Sequence, residues 1–183
     1  EGIELTVAVN LFGRDLLDLG LPHEVEELLA RWRIPADQLE LEIAENTILT
    51  EPERARTILE RLGESGVTLA IDDFGSGYTS FHYLKRLPVD VLKIDRSFVQ
   101  AMNASGRDAI IVRSTVELGQ NLGLVVVAEG VESEEIWNRL AASGCDRVQG
   151  YFLSRPMPAS GVAPWIRARE QQRSLPPPHA AAI

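Results

Sequence analysis

At 183 residues, 45% hydrophobic and 25% charged, the chain can form one globular domain with a sizeable core. Its net charge of -9 argues against a nonspecific grip on nucleic-acid backbone, so no DNA partner is expected and any phosphate ligand needs cations. One cysteine, Cys145, excludes an internal disulfide framework and a cysteine-rich zinc site and suits a reducing, cytoplasmic setting. No apolar run reaches membrane-spanning length, and the start, Glu1-Gly-Ile-Glu, lacks signal-peptide form; a membrane tether would have to come from domains outside this sequence.

Taken in order, the chain repeats one unit. Leu5-Thr-Val-Ala-Val-Asn10 reads as a strand, and Val25, Leu28 and Leu29 set an apolar stripe at helical spacing after Pro22. Leu39-Glu-Leu-Glu-Ile43 alternates as a second strand, followed by a helix through Ala55, Ile58, Leu59 and Leu62 that stops near Gly63 or Gly66. The third strand, Val67-Thr-Leu-Ala-Ile71, runs into two adjacent carboxylates, Asp72 and Asp73, and a glycine-punctuated loop. Neighbouring strand residues point to opposite faces, so two consecutive Asp aimed at one ligand require the backbone to leave the strand there, which Gly75 and Gly77 permit. A short helix is expected around Ser80 to Arg86, then Pro88 and a fourth strand, Val91-Leu-Lys-Ile94, ending in Asp95. After Ser105-Gly106, a helix from Ala109 to Leu122 precedes a fifth strand, Leu124-Val-Val-Val-Ala128, ending in Glu129 and Gly130. A helix through Ile136 and Leu140 stops at Gly144, and Arg147 to Phe152 is a sixth strand. A last helix around Val162 to Glu170 gives way to a Pro-rich tail, Leu175 to Ile183, read as disordered.

Six strands alternating with helices, most of them apolar on both faces, predict a parallel sheet covered by helices, as a barrel or an open doubly wound sheet. The open sheet calls for a glycine-rich phosphate loop after the first strand, but Asn10-Leu-Phe-Gly-Arg14 has neither the dinucleotide fingerprint nor a Walker sequence. A barrel instead gathers functional residues at the C-terminal ends of several strands. Asn10, Glu42 with Glu45, Asp72 with Asp73, Lys93 with Asp95, Glu129 and Gln149 all lie at or near such ends. Singly, each can be a helix cap, a solvent-facing residue or a surface ion pair; their recurrence at equivalent positions points to one shared site. Adjacent carboxylates repel unless a cation neutralises them, and hard oxygen donors without a histidine cluster favour Mg2+ or Mn2+ over zinc. His23, His82 and His179 are scattered away from strand ends and are assigned surface or packing roles.

Several longer stretches carry a resemblance. Val9-Asn-Leu, Leu41-Glu-Ile-Ala-Glu45, Asp72-Asp-Phe-Gly-Ser-Gly-Tyr-Thr-Ser80, Leu84-Lys-Arg-Leu-Pro88, Leu92-Lys-Ile-Asp-Arg-Ser-Phe-Val99, Ala128-Glu-Gly-Val-Glu132 and Gln149-Gly-Tyr are similar to the EAL domain of bacterial cyclic di-GMP phosphodiesterases, over about residues 4 to 165. The resemblance implies an α/β fold, a modified TIM barrel with one antiparallel strand, and hydrolysis of cyclic di-GMP to linear pGpG. It makes Asn10, Glu42, Asp72 and Asp73 metal ligands, with Asp72 bridging two ions, Mg2+ or Mn2+. Lys93 would hold the attacking water or the developing negative oxygen, and Glu129 would be a general base or a water-mediated ligand; with Asp73 they form the catalytic set, and which of Lys93 and Glu129 takes the proton is left open. Gln149 and Asp95 match substrate-side positions, Asp95 with a more structural role as the alternative. Glu45 matches the glutamate that steadies the loop after the double Asp. In the family that loop also couples dimerisation to metal binding, so a homodimer through it is expected.

The Glu-Ala-Leu motif itself is absent, so residues 1-170 are expected to form a partial EAL domain supplying about six of eight barrel strands, followed by a disordered Pro/Ala-rich tail over 171-183. The missing glutamate is a family metal ligand; an isolated chain should bind metal poorly and expose an apolar flank, with sensory or cyclase domains expected upstream in a longer parent. Phe12 stands where serine is usual, and Ala44 where threonine is common. A non-catalytic cyclic di-GMP receptor is the alternative function, although every inspected carboxylate is retained. A Mg2+-dependent barrel abstracting a proton from a carbon acid, with Lys93 as base, is a third reading.

Overall fold

The computed structural model describes residues 3–48, 51–77 and 84–173. They fall into two compact units, one spanning Glu4–Leu153 and the other combining Ile3 with the segment from Ser154. The second unit's described element is one helix, Ala159–Arg173. Of the tail expected over 171–183, residues 171–173 belong to this helix and the rest lies outside the described residues, as does most of the short helix expected around Ser80 to Arg86.

In the larger unit, six strands form one sheet: β1 (Val7–Leu11), β2 (Leu39–Ala44), β3 (Thr68–Phe74), β4 (Val91–Ile94), β5 (Val125–Ala128) and β6 (Arg147–Val148). They lie in sequence order and every pairing is parallel. Parallel crossovers share one hand, so a sheet whose order never reverses carries its helices on one face and curls about the other, as a barrel does. A doubly wound sheet would show a reversal point, and none occurs in this order.

The alternation of each strand separates the two faces. Leu41 and Ile43, Leu69 and Ile71, Leu92 and Ile94, and Val126 and Ala128 join one large buried cluster with the helices. Ala70, Val91 and Val127 form a separate, smaller cluster on the opposite, inner face, where Glu42, Asp72 and Lys93 also stand by the same alternation. The helices in chain order are α1 (Leu21–Trp32), α2 (Glu45–Ile48), α3 (Pro52–Glu64), α4 (Arg96–Ala101), α5 (Gly106–Asn121) and α6 (Glu134–Ala142). In α3, proline at the start sets the first turn, and Ala55, Ile58, Leu59 and Leu62 bury one stripe at three-and-four spacing. Ser105 and Ser133 cap α5 and α6, accepting from the backbone N–H groups of Asp108 and Ile136 at 3.3 Å each. No described helix is long and apolar enough to cross a membrane.

Three expectations are corrected. The sixth strand is two residues long, because from Gln149 the chain wraps the backbone of Val131. Val131 donates to the Gln149 carbonyl, and Phe152 donates to that of Val131, at 3.0 Å each. The third strand does not end at the aspartates; it runs on to Phe74 through a register shift between Ile71 and Phe74. The stripe of α1 is also only partly buried: Val25 is buried and Leu29 half-buried, but Leu28 is exposed.

Candidate active site

Four strands deliver charged side chains to one end of the sheet. Glu42 comes from β2, Asp72 and Asp73 from β3, Lys93 from β4, and Glu129 follows β5. Consecutive aspartates share the site because Asp73 takes a left-handed conformation, φ 54°, within the bulge, and Gly75 follows at φ 98°. Non-glycine residues adopt that region at a cost of about 1 kcal/mol, with Asp among the more tolerant types, so the strain sits on a residue that can bear it.

Lys93 is 3% exposed and lies at the centre. Its Nζ donates to Glu42 Oε1 at 2.6 Å, is 2.6 Å from Glu129 Oε1, and stands 3.3 Å from Asp72 Oδ1. Burial pushes the Lys93 ammonium toward neutrality, but Glu129, Glu42 and Asp72 together outweigh it and hold its pKa above the ordinary lysine value. Burial likewise raises Glu129, and the negative charges of Asp72 and Glu42 add to that, only partly offset by Lys93. Asp73 is raised too, by desolvation first and then by the carboxylates of Asp72 and Asp95 facing it.

Asp72 Oδ1 is buried and makes no hydrogen bond, despite the ammonium at ion-pair distance. Such an atom costs on the order of 1–3 kcal/mol unless something pairs with it. Ligand oxygens of Asp72, Asp73 and Glu129 lie within 4.8 Å of one another. An orphaned carboxylate oxygen among further carboxylates is what an oxygen-loving divalent cation requires, so these residues fit one.

The other expected residues are placed as follows. Asn10 sits opposite Glu42 in the β1–β2 pairing and is exposed. Glu45 is buried, and its Oε2 accepts from the backbone N–H groups of Gly75 at 2.8 Å and Gly77 at 3.3 Å, tying down the start of the loop after the aspartates. Asp95 faces Asp73 and also caps α4, accepting from Ser97 N at 2.7 Å. Gln149 shares a cavity of about 230 Å3 with Glu129, Arg96, Gln100, Glu132 and Tyr151. His23 is exposed beside Glu27, and His82 and His179 lie outside the described residues.

Sequence reasoning missed two features. Glu40 is buried on the same face as Glu42, where burial, then the charge of Glu42, raises its pKa. The alternation of Leu39-Glu-Leu-Glu-Ile43 already put both glutamates on one face. Arg96 and Gln100, lining the cavity from α4, went unnoticed because α4 was not anticipated; Asp95 two residues before Ser97 was the available capping signal.

An EAL domain family model matches residues 1–156. The chain is 43% identical over 164 residues to the cyclic di-GMP phosphodiesterase NbdA of Pseudomonas aeruginosa, covering 90% of this chain and 21% of that protein. It is 44% identical over 153 residues to MucR of the same organism, a bifunctional diguanylate cyclase/cyclic di-GMP phosphodiesterase, covering 84% of this chain and 22% of that one. The chain thus spans about a fifth of the length of these curated relatives. The solved MucR phosphodiesterase in complex with c-di-GMP superposes with a TM-score of 0.82 at 43% identity, over 86% of this chain and 64% of that one. The manganese and c-di-GMP complex of Klebsiella pneumoniae BlrP1 gives 0.78 at 34%, over 84% and 39%. With the match running from β1 through β6 and the turn beyond it, the chain belongs to the EAL domain family.

Proposed function

We propose that residues 1–170 are the hydrolytic module of a cyclic di-GMP phosphodiesterase, cutting one phosphodiester to give linear pGpG with two divalent cations, Mg2+ or Mn2+. The observation that carries this reading is Asp72 Oδ1, buried without a hydrogen bond beside the carboxylates of Asp73 and Glu129. NbdA and MucR carry the corresponding activity in their names, and BlrP1 was solved with both manganese and the nucleotide.

Glu42, Asp72 and Asp73 would hold the cations, with Asn10 beside Glu42 across the β1–β2 pairing. Bound there, the cations would lower the pKa of a water and stabilise charge on the attacked phosphoryl group. Lys93 donates to the negative oxygen that develops at phosphorus; a buried ammonium acting there is worth more than one in water. Glu129, with its raised pKa, takes the proton of the attacking water. Gln149, with Arg96 and Tyr151 in the adjoining cavity, orients the nucleotide, and Asp95 holds α4 and presses on Asp73. Glu45 keeps the loop after Asp73 in register with the site, and a homodimer through that loop is part of this reading.

The test is product analysis: with cyclic di-GMP and Mg2+ or Mn2+, the protein should yield pGpG. Asp72→Asn, which keeps the volume and removes the charge, should lower turnover more than about a hundredfold and leave the fold intact. Activity of the variant within a few fold of wild type would contradict the assignment. Tight nucleotide binding without turnover in the wild-type protein would favour a receptor.

A further inference from the structure

Buried lysines are rare and have to be paired. Lys93 meets that need by spending its two shortest contacts on Glu42 and Glu129, 2.6 Å each. The role assigned to it above needs the same Nζ free to meet water or a phosphoryl oxygen. The carboxylates have a need of their own: Glu42, Asp72 and Glu129 come from separate parts of the sheet and converge where their charges repel, with Asp73 adjoining. Something positive has to stand between them for β2, β3 and β5 to keep these side chains turned inward.

We infer that Lys93 is a stand-in cation: it holds the ligand cluster together in the metal-free protein, and it must release Glu42 before the site takes its metals. Metal affinity is then set by competition with an ammonium built into β4. The inference rests on the metal-site reading above and concerns how that site is regulated. Its geometric support is the uneven way the ammonium serves its neighbours. Glu42 and Glu129 are contacted closely, while Asp72 Oδ1, 3.3 Å away, is left without a hydrogen bond. The ammonium therefore neutralises the cluster without saturating it. Compact and singly charged on a flexible four-carbon stem, lysine can swing from a carboxylate to a substrate oxygen, which a fixed guanidinium fork does less readily.

The experiment measures Mn2+ binding by calorimetry and thermal melting with and without Mn2+, in the absence of nucleotide, on wild type, Lys93→Met and Lys93→Arg. Lys93→Met should melt several degrees lower than wild type without metal, bind Mn2+ on the order of tenfold more tightly, and show the larger Mn2+-induced rise in melting temperature. Lys93→Arg, which keeps the charge, should stay within a few fold of wild-type affinity. Unchanged or weaker Mn2+ binding by Lys93→Met would overturn the inference while leaving the metal site standing. A Lys93→Met protein that remains unfolded at every Mn2+ concentration would also overturn it, because metal should replace the missing ammonium. Absence of Mn2+ binding in wild type and Lys93→Met alike would instead remove the metal-site reading, and this inference with it.

Discussion

Asp73 shows how much depends on one residue. It occupies a left-handed backbone conformation and faces the negative charges of Asp72 and Asp95. Both features burden the metal-free fold and both serve the site, since the twist is what lets consecutive aspartates converge. Asp73→Asn tolerates the same backbone and removes the repulsion, so it should raise the metal-free melting temperature while abolishing the response to Mn2+; a lower melting temperature would contradict this. Cys145 is the opposite case. Its thiol is half-buried beside the carbonyls of Val126 and Arg147, and burial pushes its pKa up to about 11. Thiolate therefore accumulates only as pH approaches that value. At pH 8, alkylation of the folded protein should run roughly a hundredfold slower than in denaturant, and should accelerate as pH rises toward 11. Equal rates in both states would refute the assignment. At this scale the double aspartate at the end of an apolar strand was legible in the lettering, but the bend was not. Gly75 and Gly77 looked like the hinge, whereas the turn begins at Asp73, a residue type whose left-handed conformation no local pattern announces.

Elements place these residues by anchoring strands to one another at both ends. Asp90, just before β4, accepts from the Leu69 N–H of β3 at 2.9 Å, and Asp146, just before β6, accepts from the Val126 N–H of β5 at 2.8 Å. Each carboxylate fixes the register of the preceding strand from the end opposite the site. Removing one in Asp146→Ala should cost about 1–3 kcal/mol in urea unfolding, since a backbone donor loses its partner. Gly150 does the same work at the site end. A Cβ there would lie 2.2 Å from the Val131 carbonyl oxygen, so Gly150→Ala should destabilise by roughly 1–3 kcal/mol and raise KM by displacing Gln149. A variant as stable as wild type would refute the close packing. Strand positions and the buried stripe of α3 were readable because hydrophobic period agrees there with the proline that opens the helix and the glycine that follows it. The sixth strand was misjudged because Arg147 to Phe152 is apolar enough for a strand, while the wrap around Val131 is a long-range contact that no local pattern encodes.

For the whole molecule, the inner face of a singly wound sheet gathers charge at one end, and the outer face buries its apolar residues under helices. At the β1 edge of the sheet, Leu5, Val7, Val9 and Phe12 are all exposed. Exposed apolar surface next to an unpaired edge favours association. The 183-residue chain by itself should therefore elute larger than a monomer as concentration rises, and bind a hydrophobic dye; monomeric behaviour with no dye binding would contradict this. The apolar flank was expected from the resemblance and a shared site at the strand ends from the barrel rule, whereas the ion pairs that Glu42, Asp72 and Glu129 make with Lys93 needed three dimensions, because pairwise distances between separate strands leave no trace in local sequence. Crystals of the protein soaked in Mn2+ test the meeting of these carboxylates around a cation most directly. Anomalous difference density within coordinating distance of Asp72 Oδ1, shared with Glu42 or Asp73, is the predicted result. Density only elsewhere, with the Asp72 and Glu42 carboxylates turned away from each other, would contradict it.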